Sequence, residues 1–342
     1  MRDEIEYASA TQFHSGCSDC NISQNALQQH NYQAMYTTPI LLITFNRPRH
    51  TQRVLEVIMQ AKPKDLYVFQ DGARDGNEND AIRCKAVREV VKTLTDNTAT
   101  VLHTNYSSKN LGCGAGPMTG ISWFFDNVEQ GIVMEDDCLA HPDFFGYCEE
   151  MLQRYKDNPQ VMFINSTLYN NRWQCRESYG FSRYMVTGAW ASWREVWQGF
   201  DLDLHTLNAN AFFRHVNKLT HNVAEAEWWW YKVKEIQRDQ SKKSYWDYQM
   251  QIHLFRKDAI TIHPKVNLVS NIGFDTEGTH TLNNNDGRGD RPIYGIFPLI
   301  HPNEIKIDWR QDSYYWAKKP TKGWLNDWAH LCYHIIKWKN RR

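Results

Sequence analysis

The sequence predicts an α/β protein with a mostly parallel sheet and helices on both faces, and three observations carry that prediction. Short, continuously apolar runs of the kind that form buried parallel strands recur at Pro39–Phe45, Leu66–Phe69, Ile132–Met134 and Val161–Ile164. Helical patterns separate the first three of them, and the loops between are short. At 342 residues, with 42% hydrophobic content, the chain can bury a large core.

Taken in order, residues 1–37 are polar and rich in Ser, Asn and Gln, without a sustained period, and read as an extension outside the fold. Cys17 and Cys20 form a C-x-x-C flanked by His14 and His30, half of a zinc site with no second pair. The first strand, Pro39–Phe45, leads through Asn46-Arg47-Pro48 into a helical pattern over Val54, Leu55, Val57 and Ile58. The second strand ends in a turn-rich acidic loop, Gln70 to Asp75. A helix over Asn79–Leu94 and a strand at Thr100–His103 follow, and then Asn110 to Pro117, whose glycines 112, 114 and 116 do not have dinucleotide-binding spacing. The next helix is expected over Met118–Glu129.

The Ile132–Met134 strand runs directly into Glu135, Asp136 and Asp137. Ligands of open α/β sheets bind at the carboxyl ends of strands, and adjacent carboxylates there repel unless a cation or donor set neutralises them. Hard oxygen ligands suit Mg²⁺ or Mn²⁺, completed by a substrate's phosphates. The local sequence also allows a simpler reading, because His141-Pro142-Asp143 opens a helix and acids favour helix N-termini.

The second half differs in composition. Thirteen of the 14 tryptophans follow residue 170, which suggests aromatic platforms lining a cleft, although any single Trp is more simply a core residue. Residues 165–177 read as a loop. Gly188–Trp193 precedes a helix, another helix covers Tyr245–Leu254, and the Asn/Asp/Gly-rich stretch 271–290 reads as a mobile loop. The segment Trp324–Arg342 is amphipathic, a helix packed on the domain or, on a second reading, a peripheral contact with a membrane surface.

Charge and composition exclude several classes. With 39 basic and 39 acidic residues there is no nucleic-acid footprint. No apolar run reaches the roughly 18 residues of a membrane helix, the N-terminus lacks a signal-peptide pattern, and eight dispersed cysteines do not form a secreted disulfide framework. The expectation is a cytoplasmic protein.

Ile40–Arg47, Phe69–Gly72, Met134–Asp137, Pro142–Phe145, Gly188–Trp190 and Tyr245–Asp247 together resemble, in the same order, the GT-A-fold glycosyltransferases, with the closest likeness to the N-acetylglucosaminyltransferase I group. The resemblance covers residues 38–282 and favours the metal-site reading. It implies a nucleotide-sugar-binding half at 38–150, an acceptor and catalytic half at 151–282, and an added C-terminal loop and helix at 283–342. The implied function is metal-dependent inverting transfer from a nucleoside-diphosphate sugar, a UDP-sugar, to a hydroxyl of a carbohydrate or glycoconjugate; the alternative is a non-catalytic nucleotide- or carbohydrate-binding protein of the same fold. A sugar-1-phosphate nucleotidyltransferase is disfavoured, since Asn46-Arg47-Pro48-Arg49 replaces its Gly-rich first loop.

Carried over residue by residue, Arg47 meets the donor phosphates. Asp71 reads the uracil edge, Glu135 and Asp136 hold sugar and ribose hydroxyls, and Asp137 is the protein ligand to Mn²⁺ or Mg²⁺. Trp190 and His280 complete the donor site. Asp247 is the expected general base, although the family has two adjacent acids there and this chain continues with Tyr248 and Gln249. Glu225, Glu227 and Asp275 are the next candidates.

Overall fold

Strand–helix alternation begins at once. Strand β1 (Ile40–Thr44), helix α1 (Pro48–Gln60), β2 (Asp65–Gln70), α2 (Glu78–Thr95), β3 (Val101–Tyr106), α3 (Gly112–Asn127) and β4 (Gln130–Glu135) form the first half of the computed structural model. The structure describes residues 35–168, 170, 173, 175–238, 246–274 and 289–317. His280, Asp275, the Cys17/Cys20 pair and the segment Trp324–Arg342 lie outside the described residues.

The remaining elements are β5 (Cys138–Ala140), α4 (Asp143–Tyr155), β6 (Val161–Asn165), β7 (Tyr179–Ser182), β8 (Ala189–Trp193), α5 (Arg194–Trp197), α6 (Ala209–Thr220), α7 (Val223–Arg238), α8 (Trp246–Arg256), β9 (Ile260–Pro264), β10 (Val269–Asn271) and α9 (Trp309–Ala317). One eight-stranded sheet has the order β3-β2-β1-β4-β8-β6-β9-β7, and β5 pairs with β10 in a small second sheet. Strands β1 to β4 are mutually parallel; β8 runs against β4 and β6, and β7 against β9. The mostly parallel α/β, Rossmann-like architecture expected from the sequence is therefore present. Because β4 pairs with β8, the sheet continues across residue 150.

The helices begin where the sequence supplies caps. Pro48 opens α1 at its first turn, where its missing N–H costs nothing. Asn77 accepts from the Asp80 N–H at the start of α2, and Asn208 accepts from Asn210 and Ala211 at the start of α6. Strand alternation then sorts the core into two layers. Ile132 and Met134 of β4 pack with α1 and α4, whereas Val133 packs with Ile121 and Phe124 of α3 and Trp246 and Met250 of α8. A third cluster joins α6, α7, α8 and Tyr315 of α9.

Two expectations need correction, and one is extended. Helix α3 starts at Gly112, six residues before Met118, because its first turn is capped from outside, as described below. Gly188–Trp193 does precede a helix, α5, and Ala189–Trp193 is itself strand β8, whose antiparallel direction no periodicity reveals. Asn271 ends strand β10 rather than opening a loop, since it pairs with Cys138. No helix among the described residues is long and apolar enough to cross a membrane.

Candidate active site

Strand order reverses direction at β1. The chain adds β2 and then β3 on one side of β1 and returns to place β4 on the other, so a crevice opens beyond the carboxyl ends of β1 and β4. Ile43 pairs with Glu135 in the parallel register, which carries the loop after β1 and the acid triplet to the same edge. Arg47 precedes Pro48 and is thereby biased away from helical backbone, at φ −113° and ψ 76°. Its carbonyl is fixed by the Thr51 N–H and hydroxyl, both at 2.9 Å.

The guanidinium of Arg47 spans the acids. Nη1 donates to Asp137 Oδ2 at 3.1 Å, and Nη2 donates to Asp136 Oδ1 in a short charge-assisted bond. Burial alone would lower the Arg47 pKa, but the charges of Asp136 and Asp137 outweigh it and hold the group firmly cationic. Asp136 is 2% exposed, and its second oxygen, Oδ2, has no hydrogen-bond partner. Burial raises its pKa, against the pull of Arg47. Glu135 keeps some surface accessibility yet is densely surrounded by protein. Burial first, then Asp137, Asp136 and Asp247, push it up to about 8 against the opposing charge of Arg47.

Sequence reading missed two residues that shape this centre. Gly273 lies against the ion pair so closely that a Cβ there would run into Asp137 Oδ2 and come within 3.0 Å of Arg47 Nη1. The Asp137 carbonyl accepts from Ile272 N–H at 2.8 Å, so β10 lays this segment across the acid. Cys138 is the second; its buried thiol stands 3.5 Å from Asp137 Oδ1. The only prior signal was a glycine and a cysteine near the right loops, types too common there to single out.

Asp71 sits at the end of β2, beside the crevice, but its carboxylate is already engaged. Oδ1 accepts from Gly72 N–H at 2.9 Å and Leu111 N–H at 2.8 Å; Oδ2 accepts from Gly112 N–H at 3.0 Å and Asn110 Nδ2 at 3.1 Å. Two of these are donors from the start of α3, so Asp71 caps that helix from the neighbouring strand. With about four acceptor directions available to a carboxylate, none remains for a uracil imide. The expected base-reading role is corrected accordingly. The pKa is raised by burial, with the Leu111, Gly72 and Gly112 N–H groups pulling the other way.

Trp190 is also corrected. It lies opposite Val133 in the β4–β8 pairing, is 1% exposed and stacks on Phe163 at 4.8 Å between centroids. Trp246 packs at 6.3 Å from it, also buried. Both are buried core side chains. Trp173, Trp197, Trp228 and Trp229 are buried core side chains as well, whereas Trp309 is exposed.

Asp247 occupies the first turn of α8 and is half-buried. The helix is oriented by Gln251, which accepts from Met185 N–H at 2.9 Å and donates to the Arg183 carbonyl at 2.8 Å. This ties α8 to the segment leading into Gly188, whose carbonyl accepts from Glu135 N–H at 2.8 Å. Asp247 thus stands on the Glu135 side of the crevice, near enough for its charge to act on that carboxyl. Glu225 is elsewhere, 5% exposed and bonded to Tyr184 Oη inside the third core cluster.

Among the described residues no group of three or more His, Cys, Asp or Glu side chains is arranged to hold a metal ion. The donor set that is present, Asp137 with the unpartnered Asp136 Oδ2, fits a cation that takes one or two carboxylates and draws its other ligands from phosphate and water.

No protein-family model matches the chain, and no curated protein matches it. Solved structures resemble it. An apo UDP-glucose pyrophosphorylase is 11% identical over 69% of this chain and 93% of its own, with a TM-score of 0.37. A UDP-glucose pyrophosphorylase complexed with UDP-glucose is 11% identical over 47% and 78%, with a TM-score of 0.29. Glucosyl-3-phosphoglycerate synthase from Mycobacterium tuberculosis, complexed with Mn²⁺, UDP and glucosyl-3-phosphoglycerate, is 12% identical over 48% and 59%, with a TM-score of 0.28. The likeness is confined to the fold.

Proposed function

We propose that the chain is a metal-dependent inverting glycosyltransferase that moves a sugar from a UDP-sugar to a hydroxyl of a carbohydrate or glycoconjugate. The observation that supports this most is the convergence of Arg47, Asp136 and Asp137 at the reversal of strand order, with one buried carboxylate oxygen of Asp136 unpartnered. A guanidinium and hard oxygen ligands at a strand-end crevice match a diphosphate and its divalent cation. The sequence resemblance to the N-acetylglucosaminyltransferase I group points the same way.

A divalent cation held by Asp137 would neutralise charge on the departing nucleoside diphosphate. Arg47 binds the diphosphate oxygens. Glu135, on the other face of β4, faces the transferred sugar. Asp247 takes the proton of the acceptor hydroxyl while that oxygen forms a bond to the anomeric carbon and the carbon–oxygen bond to UDP breaks on the opposite side.

The test combines thermal-shift titration of UDP with a UDP-release assay over a panel of UDP-sugars, each with and without Mn²⁺. UDP should stabilise the protein only with the metal present, and Asp137→Ala should remove that dependence. Equal stabilisation by UDP in EDTA and in Mn²⁺ would discard the metal site. Binding without release of UDP for any sugar would favour the non-catalytic alternative.

A further inference from the structure

We infer that Arg47 acts as an internal counter-cation that withholds the acid pair from free metal, so that metal and diphosphate can enter only together. The inference deepens the nucleotide-sugar reading and rests on it. It starts from an incompatibility: Arg47 already holds one oxygen of each carboxylate that suits a divalent cation. Asp137 Oδ2 accepts from Nη1, and Asp136 Oδ1 accepts from Nη2.

A guanidinium and a divalent cation cannot share one carboxylate oxygen at bonding distance without strong repulsion. Nor can the arginine easily move aside within its own site. Gly273 closes one side against both Asp137 and Arg47, and the Arg47 carbonyl is fixed at the start of α1 by Thr51. Leaving the acids for nothing would expose an uncompensated, largely buried pair of carboxylates, a costly state. Metal alone replaces that charge but strands the guanidinium. A diphosphate supplies the missing partner, because its oxygens accept the same fork of donors.

Each ligand then lowers the cost of binding the other, and by linkage the enhancement is reciprocal. Of the two oxygens that Arg47 does not hold, Asp136 Oδ2 is sealed from solvent and Asp137 Oδ1 stands 3.5 Å from the Cys138 thiol. In the functional cycle, the arginine keeps the crevice from filling with metal when no donor is present. It also couples product departure to metal release.

The experiment is direct Mn²⁺ binding, followed by the loss of free-ion EPR signal, on the whole chain. Parent protein, Arg47→Gln and Arg47→Lys are titrated with Mn²⁺ alone, with inorganic pyrophosphate and with UDP. The parent should bind Mn²⁺ at least tenfold more tightly with UDP or pyrophosphate present. Arg47→Gln should bind Mn²⁺ alone at least tenfold more tightly than the parent, and lose most of the enhancement. Arg47→Lys, a point charge that cannot bridge both acids, should fall between them and carries the test if the Gln variant does not fold. If the variants bind Mn²⁺ alone no better than the parent, while the parent still shows UDP-dependent uptake, the gate is refuted and the site reading stands. Tighter Mn²⁺ binding by the variants with no response to UDP would keep the gate and overturn the nucleotide-sugar reading. No Mn²⁺ uptake under any condition would overturn both.

Discussion

Replacing Asp71 by Asn distinguishes a structural carboxylate from a base-reading one, and the structure sets the size of the effect. The side chain is 8% exposed and accepts four hydrogen bonds, two on each oxygen. An amide keeps one acceptor oxygen and turns an NH₂ group toward the other two donors. If the oxygen faces Gly72 and Leu111, the NH₂ confronts Gly112 N–H and Asn110 Nδ2; the flipped amide confronts the other pair. Two donors in this part-buried setting are left without a partner, each costing about 1–3 kcal/mol. Relief of the burial penalty on the charge offsets part of this. The net loss should be about 3 kcal/mol, which at about 2 °C per kcal/mol for a large domain is roughly 6 °C in Tm. Chemical denaturation followed by tryptophan fluorescence gives the free energy, and competition among UDP, CDP and GDP gives the base preference. A variant within about 0.5 kcal/mol of the parent that no longer prefers UDP would refute the capping argument and restore the base-reading role.

Other perturbations follow from the same geometry. Asp247→Asn should leave Mn²⁺ and UDP binding nearly intact but lower sugar transfer about 10²-fold or more, and transfer at the parental rate would remove Asp247 as base. His263 is buried, with Nε2 2.8 Å from the Tyr184 carbonyl and Nδ1 3.0 Å from Tyr315 Oη, and burial lowers its pKa from 6.5 to about 4. Protons therefore bind the unfolded chain first. The neutral ring's contribution is fully present above pH 6.5 and lost as the pH falls from 6.5 toward 4, about 3 kcal/mol in all. Unfolding free energies of the parent and His263→Gln across that window check this: the parent's decline should be steeper, and parallel curves would contradict it.

Much of the fold was legible because strands buried on both faces announce themselves as apolar runs. Ile40–Thr44, Leu66–Phe69, Ile132–Met134 and Val161–Ile164 are all strand residues of the central sheet. Helices α1, α2 and α8 were visible through period and caps. What escaped was decided by tertiary contacts. Strand β8 runs antiparallel between β4 and β6, a choice of partner that leaves no mark on Ala189–Trp193 itself. Helix α3 takes in Gly112, Gly114 and Gly116 despite poor helix propensity, because Asp71 of another element supplies the cap and Gly116 lets the helix approach that carboxylate, where a Cβ would stand 3.2 Å from Oδ2. Helices α6 and α7 bury aromatic side chains against α8 and α9, a packing that single-helix periodicity does not disclose.

The acid triplet shows why part of a site can be read from sequence and part cannot. Consecutive residues of a strand face opposite sides of the sheet, and β4 carries that alternation to its end. Val133 belongs to the layer of α3 and α8, while Ile132 and Met134 belong to the layer of α1 and α4. Glu135 therefore continues the α8 face, where Asp247 acts on it, and Asp136 continues the α1 face, where Arg47 and His50 act. Three adjacent acids are thereby divided between two sides of one crevice. The same alternation places Trp190, opposite Val133, beneath Glu135 in the core. Trp190 shares the face of Glu135 but lies two residues deeper in the sheet, buried under α3 and α8, and only the register of β4 with β8 reveals it. In the proposed reaction the proton acceptor comes from the α8 side and the diphosphate lies on the α1 side, along the line across the end of β4. Moving that register by one residue would exchange the two faces and separate Asp247 from Glu135.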